Sequence, residues 1–145
     1  MIGVFIDTLA LGDTIAAIPA CKKIAKAYDN EEVHIITNHP YLFEGHPSFS
    51  HISRPESTDL NHFRKVHRMF MPLVGKSYQL HNGETIEWRY SNMDIRQFHA
   101  VSQGFALTEQ EMETDLYIER KRELPVSSYV MIHPTYTWES RTWAQ

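Results

Sequence analysis

The chain has a single cysteine, Cys21, among its 145 residues, so no intrachain disulfide is available and packing must hold the fold. That cysteine falls on the apolar side of a predicted helix, which reads as a packed thiol rather than a reactive one. No apolar run approaches the roughly 20 residues that cross a bilayer, so no transmembrane segment is expected. The amino terminus lacks the basic flank and long apolar stretch of a secretory signal, and glycine stands at position 3 instead of 2, which removes myristoylation. A cytoplasmic location is the expectation that follows. An excess of positive charge is also missing: 14 Lys and Arg against 18 Asp and Glu leave a net charge of −4, with the basic residues scattered. Nucleic acid is therefore not an expected partner, because phosphate neutralisation needs a basic face. The densest basic stretch, Arg64-Lys65-Val66-His67-Arg68, reads as a solvated helix or loop face. Nine histidines are present, but none stands in H-x-x-x-H or beside a cysteine pair, and no metal site is expected. There is no G-x-S-x-G elbow, no internal repeat and no low-complexity tract.

What remains is ordinary globular composition, 42% hydrophobic and 22% charged, at the length of one domain. Ile2 to Ile6 is too short for a helix and rich in β-branched residues, and reads as a buried first strand. Leu9 to Pro19 follows, with a tight turn expected at Gly12 and Asp13 at the start of a helix, where a carboxylate accepts hydrogen bonds from free N–H groups. From Asp13 to Tyr28, Ile15, Ile18, Cys21, Ile24, Ala25 and Tyr28 recur on one side, with Lys22, Lys23 and Lys26 between them. Pro19 predicts a kink or a loosened first turn. Asp29-Asn30 stops the helix, and Val33 to Thr37 is a second buried strand. This βαβ unit implies parallel strands and a Rossmann-like α/β domain. It is not a dinucleotide fingerprint, because the turn holds one glycine where G-x-G-x-x-G needs three.

Further along, Asn38-His39-Pro40 closes the second strand, Tyr41-Leu42-Phe43 begins a short helix, and His46 to Ile52 leads through a loop into a third short strand. Asp59 is placed to cap a helix through Phe63 and Val66. Asn82-Gly83 between the short runs of Tyr78 to Trp88 predicts a hairpin. Met93 to Phe105 returns to helical spacing, with Ile95, Phe98, Val101 and Ser102 on one side and Gly104 near the stop. Thr108 and Glu111 have the spacing of a capping box. Glu119 to Glu123, ending in Leu124-Pro125, reads as a linker, so residues 1–124 form the expected main domain. Within 125–145, Tyr129 to His133 is a new apolar strand that leaves into a polar loop.

Two constellations carry chemistry. Gly12-Asp13 puts a carboxylate at the carboxyl end of a strand, where open α/β sheets bind ligands; its plainer reading is a helix cap. The stretch from His133 to Trp143 gathers hydroxyls and the fixed cation of Arg141 just past a strand, which suits a phosphate or an oxyanion; its plainer reading is a polar turn.

Leu11-Gly12-Asp13-Thr14-Ile15-Ala16, with Pro19 a few residues on, resembles the opening motif of the heptosyltransferases of glycosyltransferase family 9, especially the autotransporter heptosyltransferase branch. Tyr129 to Thr135 and on through Arg141-Thr142-Trp143 is similar to the segment with which that family begins its second domain. The resemblance implies a GT-B enzyme, in which an acceptor-side Rossmann-like domain faces a donor-binding one. It implies Asp13 as the base for the acceptor hydroxyl, Leu11, Gly12 and Thr14 in the acceptor loop, and Thr135, Thr137 and Arg141 at the donor phosphates. A nucleotide-sugar donor and a glycan or protein acceptor are the implied partners, and no cofactor or metal is implied. One departure is Asp7, where many members carry a lysine at the exit of the first strand. Since the chain stops at Gln145, the resemblance further implies an acceptor half that is inactive alone, with the donor domain supplied elsewhere, even by a separate chain. The alternative is a non-catalytic Rossmann-like module that binds a sugar, a phosphorylated ligand or a partner chain.

Overall fold

A computed structural model describes residues 1–70, 76–80, 83–87 and 93–116. Strand β1 (Ile2–Asp7) lies inside a four-stranded sheet with β2 (Val33–Thr37), β3 (His51–Ser53) and β4 (Lys65–Phe70), in the order β3-β2-β1-β4. All three pairings are parallel, and Val4 aligns with Ile35 on one side and with His67 on the other. Helix α1 (Leu11–Ala27) joins β1 to β2, the connection a parallel pair requires. A second helix, α2 (Ile95–Ser102), packs on α1 and reaches β4. The architecture is α/β and Rossmann-like, as the sequence implies. No helix among the described residues is long and apolar enough to cross a membrane.

Side chains alternate across a strand, so one face of the sheet carries Ile2, Val4 and Ile6 with Val33, Ile35 and Met69. Against it α1 sets Ala17, Ile18, Ala20, Cys21 and Ile24, and the segment after β2 adds Phe43 and Phe49. Cys21 is fully buried and burial pushes its thiol pKa well up, which makes it inert packing. On the opposite face Gly3 lies under the ring of Phe63, where an added Cβ would stand 3.0 Å from a ring carbon. Glycine here serves close packing. Gly3→Val is accordingly expected to destabilise the domain by about 1–3 kcal/mol through overpacking, read as a lowered urea midpoint with an unchanged slope.

Several expectations are met in detail. The third strand pairs in parallel with β2, and a single 3₁₀ turn covers Pro40–Leu42. The hairpin forms between β5 (Ser77–Gln79) and β6 (Thr85–Glu87), with Gly83 at a φ of 87° that a side chain rarely adopts. Thr108 and Glu111 close a reciprocal capping box: the Thr108 N–H donates to the Glu111 carboxylate at 3.0 Å, and the Glu111 N–H to the threonine hydroxyl at 3.2 Å. The turn it opens is short, Gln110–Met112.

Other expectations need correction. Asp59 does cap, accepting from the Asn61 N–H at 2.9 Å, but it starts only the 3₁₀ turn Leu60–His62. The basic stretch beyond is neither helix nor loop; it is β4, which lies beside β1 and buries His67 and Met69 while Lys65 and Arg68 stay exposed. Its alternation is that of a half-buried strand, hidden in the sequence because a cation stands on each face, Lys65 on one and Arg68 on the other. Helix α1 begins at Leu11, two residues before Asp13, and runs continuously through Pro19. Ile15 is only half-buried, and its place on the packed face goes to Thr14 and Ala17. The linker at Glu119 to Glu123 and the strand at Tyr129 to His133 lie outside the described residues.

Candidate functional site

The strand order creates a switch point between β1 and β4. From β1 the chain moves outward to β2 and β3, then returns to the other side of β1 for β4. In open α/β sheets ligands bind beyond the carboxyl ends of the strands where the strand order reverses. The residues leaving β1 therefore form one wall of the candidate site.

Those residues are tied down from behind. The Asn38 amide, at the exit of β2, donates to the Thr8 carbonyl at 3.0 Å. His39 Nε2 donates to the Leu9 carbonyl at 2.9 Å, which leaves Nδ1 as the acceptor for the Tyr41 hydroxyl at 3.2 Å. The Thr8 hydroxyl accepts from the Ala10 N–H at 3.1 Å, and the Thr14 hydroxyl donates to the Ala10 carbonyl at 3.0 Å. Each of these bonds turns a polar group of the loop toward protein, and what faces outward is left open. Leu9 and Tyr41 are 81% and 53% exposed, large apolar surfaces beside the loop.

Ala10 is the helix N-cap and has no side chain to cap with, so Asp13 is not the cap that its sequence position suggests. The sharp change of direction is made at Thr8 to Ala10, and Gly12 sits within the first helical turn at ordinary negative φ. Consequently the N–H groups of Leu11, Gly12 and Asp13 have no acceptor among the described residues. A Cβ built on Gly12 meets nothing within 4 Å, so the surface of the first helical turn is open at this position. Asp13 is half-buried, and its carboxylate has no hydrogen-bond or ion-pair partner among the described residues. Partial burial raises its pKa above the usual aspartate value, since it penalises the charged form. Leu11 is exposed beside it. Thr14, in contrast, is fully buried with its hydroxyl engaged, so it shapes the turn and offers nothing to a ligand.

On the other side of β1, the Arg68 guanidinium of β4 donates to the Asp7 carboxylate, with Nε at 3.0 Å, and lies 5.3 Å from the centre of the Phe5 ring. The Gln103 amide fixes the Arg68 carbonyl at 2.9 Å. The negative charge that Asp7 brings to the exit of β1 is thus matched by a cation from the neighbouring strand.

Asn38, His39, Tyr41 and Arg68 were not singled out by their sequence. Asn38-His39-Pro40 marked only a strand end, although residues that follow a parallel strand line the crevice by rule. Thr135, Thr137 and Arg141 lie outside the described residues, and the pairing of Asp13 with a phosphate loop rests on the resemblance alone. Among the described residues no three His, Cys, Asp or Glu side chains gather as a metal site would need. No protein-family model matches the chain, and neither a curated protein nor a solved structure shows significant similarity to it.

Proposed function

We propose that this chain is the acceptor-side, Rossmann-like half of a GT-B glycosyltransferase of the family 9 kind, working in the cytoplasm on a nucleotide-sugar donor. The observation that carries this reading is the Asp13 carboxylate, without a partner among the described residues, at the carboxyl end of β1 where the strand order reverses. In a single displacement the acceptor hydroxyl gives its proton to an Asp13 carboxylate oxygen as its own oxygen bonds the anomeric carbon. The bond from that carbon to the diphosphate breaks, and the diphosphate leaves with the electron pair. A base must touch the nucleophile, and cations must meet the leaving group. Thr135, Thr137 and Arg141 are assigned to the second task, on the donor side. Leu9, Leu11 and Tyr41 offer the apolar faces of a glycan or a protein acceptor a surface next to the base.

The test is turnover by the gene product that contains this sequence: release of nucleoside diphosphate from a panel of nucleotide sugars, dependent on an added acceptor hydroxyl. Gly12 gives a second handle. The fold does not need glycine at that position, so Gly12→Ala is expected to raise stability by about 0.5–1 kcal/mol, read by urea denaturation. Its methyl group would stand on the open surface of the first helical turn, and transfer should fall. A variant that is both more stable and fully active would remove Gly12 from the site. Binding of sugars or acceptors with no turnover, even with a donor domain supplied, would make the domain a recognition module instead.

A further inference from the structure

Two clefts lie along the far half of α1, on the order of 20 Å along the helix from Asp13. One, of about 520 Å³, is walled by Lys22, Lys23, Lys26, Ser48, Gln110 and Glu111. The other, of about 420 Å³, is walled by Asp29, Asn30, Glu31, Glu32 and Ser50. They share Ala25 and Ser48, so they form one trough with a basic end and an acidic end.

Most of the wall charges are already balanced by protein. Lys22 donates to Asp115 at 2.6 Å, and Lys23 donates to both oxygens of Glu111 at 2.7 and 2.9 Å. Glu31 accepts from Arg64 Nε at 3.2 Å and faces the amino-terminal ammonium at 3.7 Å. The Lys23–Glu111 pair ties α1 to the capping-box turn at the basic end. Three charges are left over. Lys26 has no partner among the described residues. Asp29 has only the neighbouring Asn30 amide at 2.9 Å, and Glu32 only the His51 ring at 3.7 Å. At the shared centre Ala25 contributes a methyl group and Ser48 a hydroxyl that bonds to nothing described. One unbalanced cation at one end and two weakly balanced carboxylates at the other give the trough opposite charges on either side of a small neutral floor.

We infer that this trough binds a short zwitterion, an amino acid or small peptide, with its carboxylate at Lys26 and its ammonium at Asp29 and Glu32. A simple anion would gain from the lysines and be repelled by the acidic end, and a simple cation would meet the reverse. Only a ligand carrying both charges satisfies both ends at once. The Ser48 hydroxyl serves a peptide group between them.

The test is an amide-shift titration of the whole chain with trialanine, which is about 10 Å long when extended. Shifts are expected at Ala25, Lys26, Asp29, Glu32 and Ser48, with a dissociation constant on the order of 1 mM because both ends are solvent-exposed. Blocking either the ammonium by acetylation or the carboxylate by amidation should weaken binding about two- to fivefold. In Lys26→Glu, amidation should no longer weaken it. These positions are exposed, so the variant keeps the fold. Equal affinity for free and doubly blocked trialanine, or trough shifts produced as strongly by inorganic phosphate alone, would overturn the inference.

Discussion

Asp13→Asn is expected to slow glycosyl transfer by about 10²–10⁴-fold, the range for loss of a positioned general base. The amide keeps the shape of the carboxylate and cannot take a proton, so kcat should fall while acceptor KM moves little. Stability should hardly change, because Asp13 has no bonded partner among the described residues to lose. Two small effects oppose one another: asparagine relieves the cost of a partly buried charge, and it gives up a favourable interaction with the helix amino terminus. The net is expected within about 0.5 kcal/mol, as for substitutions away from structural contacts. The pH profile separates a base from a bystander. Burial raises the Asp13 pKa, so the parent should lose activity on acidification earlier than an ordinary aspartate would dictate. In Asp13→Asn that acid limb should vanish from the residual rate. A variant that transfers as fast as the parent, or one that keeps the limb, would sink the assignment.

The part of the fold legible in the sequence is the part in which local pattern and tertiary placement agree. Ile2 to Ile6, the lysine-punctuated helix and Val33 to Thr37 each show the period of the element they form, and a βαβ unit has few other ways to pack. The same holds for Asn82-Gly83 and for Thr108 with Glu111, whose chemistry acts within a few residues. β4 is not legible because cations stand on both of its faces, Lys65 beside His67 and Met69 and Arg68 between Val66 and Phe70, so charge masks an alternation that only its pairing with β1 makes meaningful. That omission also hid the switch point, since without β4 the order of the sheet cannot reverse.

The candidate site shows the same division. A carboxylate at the end of β1 follows from strand, turn and helix alone, and Asp13 stands there. Its role did not follow. Position after a glycine suggests a cap, yet Ala10 occupies the cap and the loop is held by Asn38 and His39 from β2, thirty residues away. Such bonds leave no local signature. The charge of Asp7 is a further instance: read alone it is an unpaired acid at the end of β1, but strand pairing sets the Arg68 guanidinium beside it.

His99→Leu is expected to remove about 3 kcal/mol of the acid sensitivity of the fold between pH 6.5 and 4. His99 on α2 is 1% exposed, and neither ring nitrogen has a hydrogen-bond partner among the described residues. Burial of this kind disfavours the charged imidazolium, and the pKa falls from the usual 6.5 to about 4. Above pH 6.5 the ring is neutral in both folded and unfolded chains, so it adds no pH dependence there. As the pH drops toward 4 the unfolded chain takes up a proton that the folded one refuses, and stability drains by about 3 kcal/mol. Below 4 both states are protonated and the loss is complete. The carboxylates with the strongest support, Asp94 beside Arg96 and Glu111 beside Lys23, have pKa values lowered to about 2, so their contribution is lost at lower pH. His34 and His46 also have pKa values lowered chiefly by burial and add to the parent's acid slope, but they are the same in the variant and cancel in the difference. Leucine places an apolar side chain where the ring leaves two polar atoms unsatisfied, so His99→Leu should be at least as stable as the parent at pH 7. Urea unfolding at pH 7 and at pH 4.5 makes the comparison. The stability gap should widen in favour of the variant at the lower pH, and parallel losses in the two proteins would show that His99 is not the group that titrates.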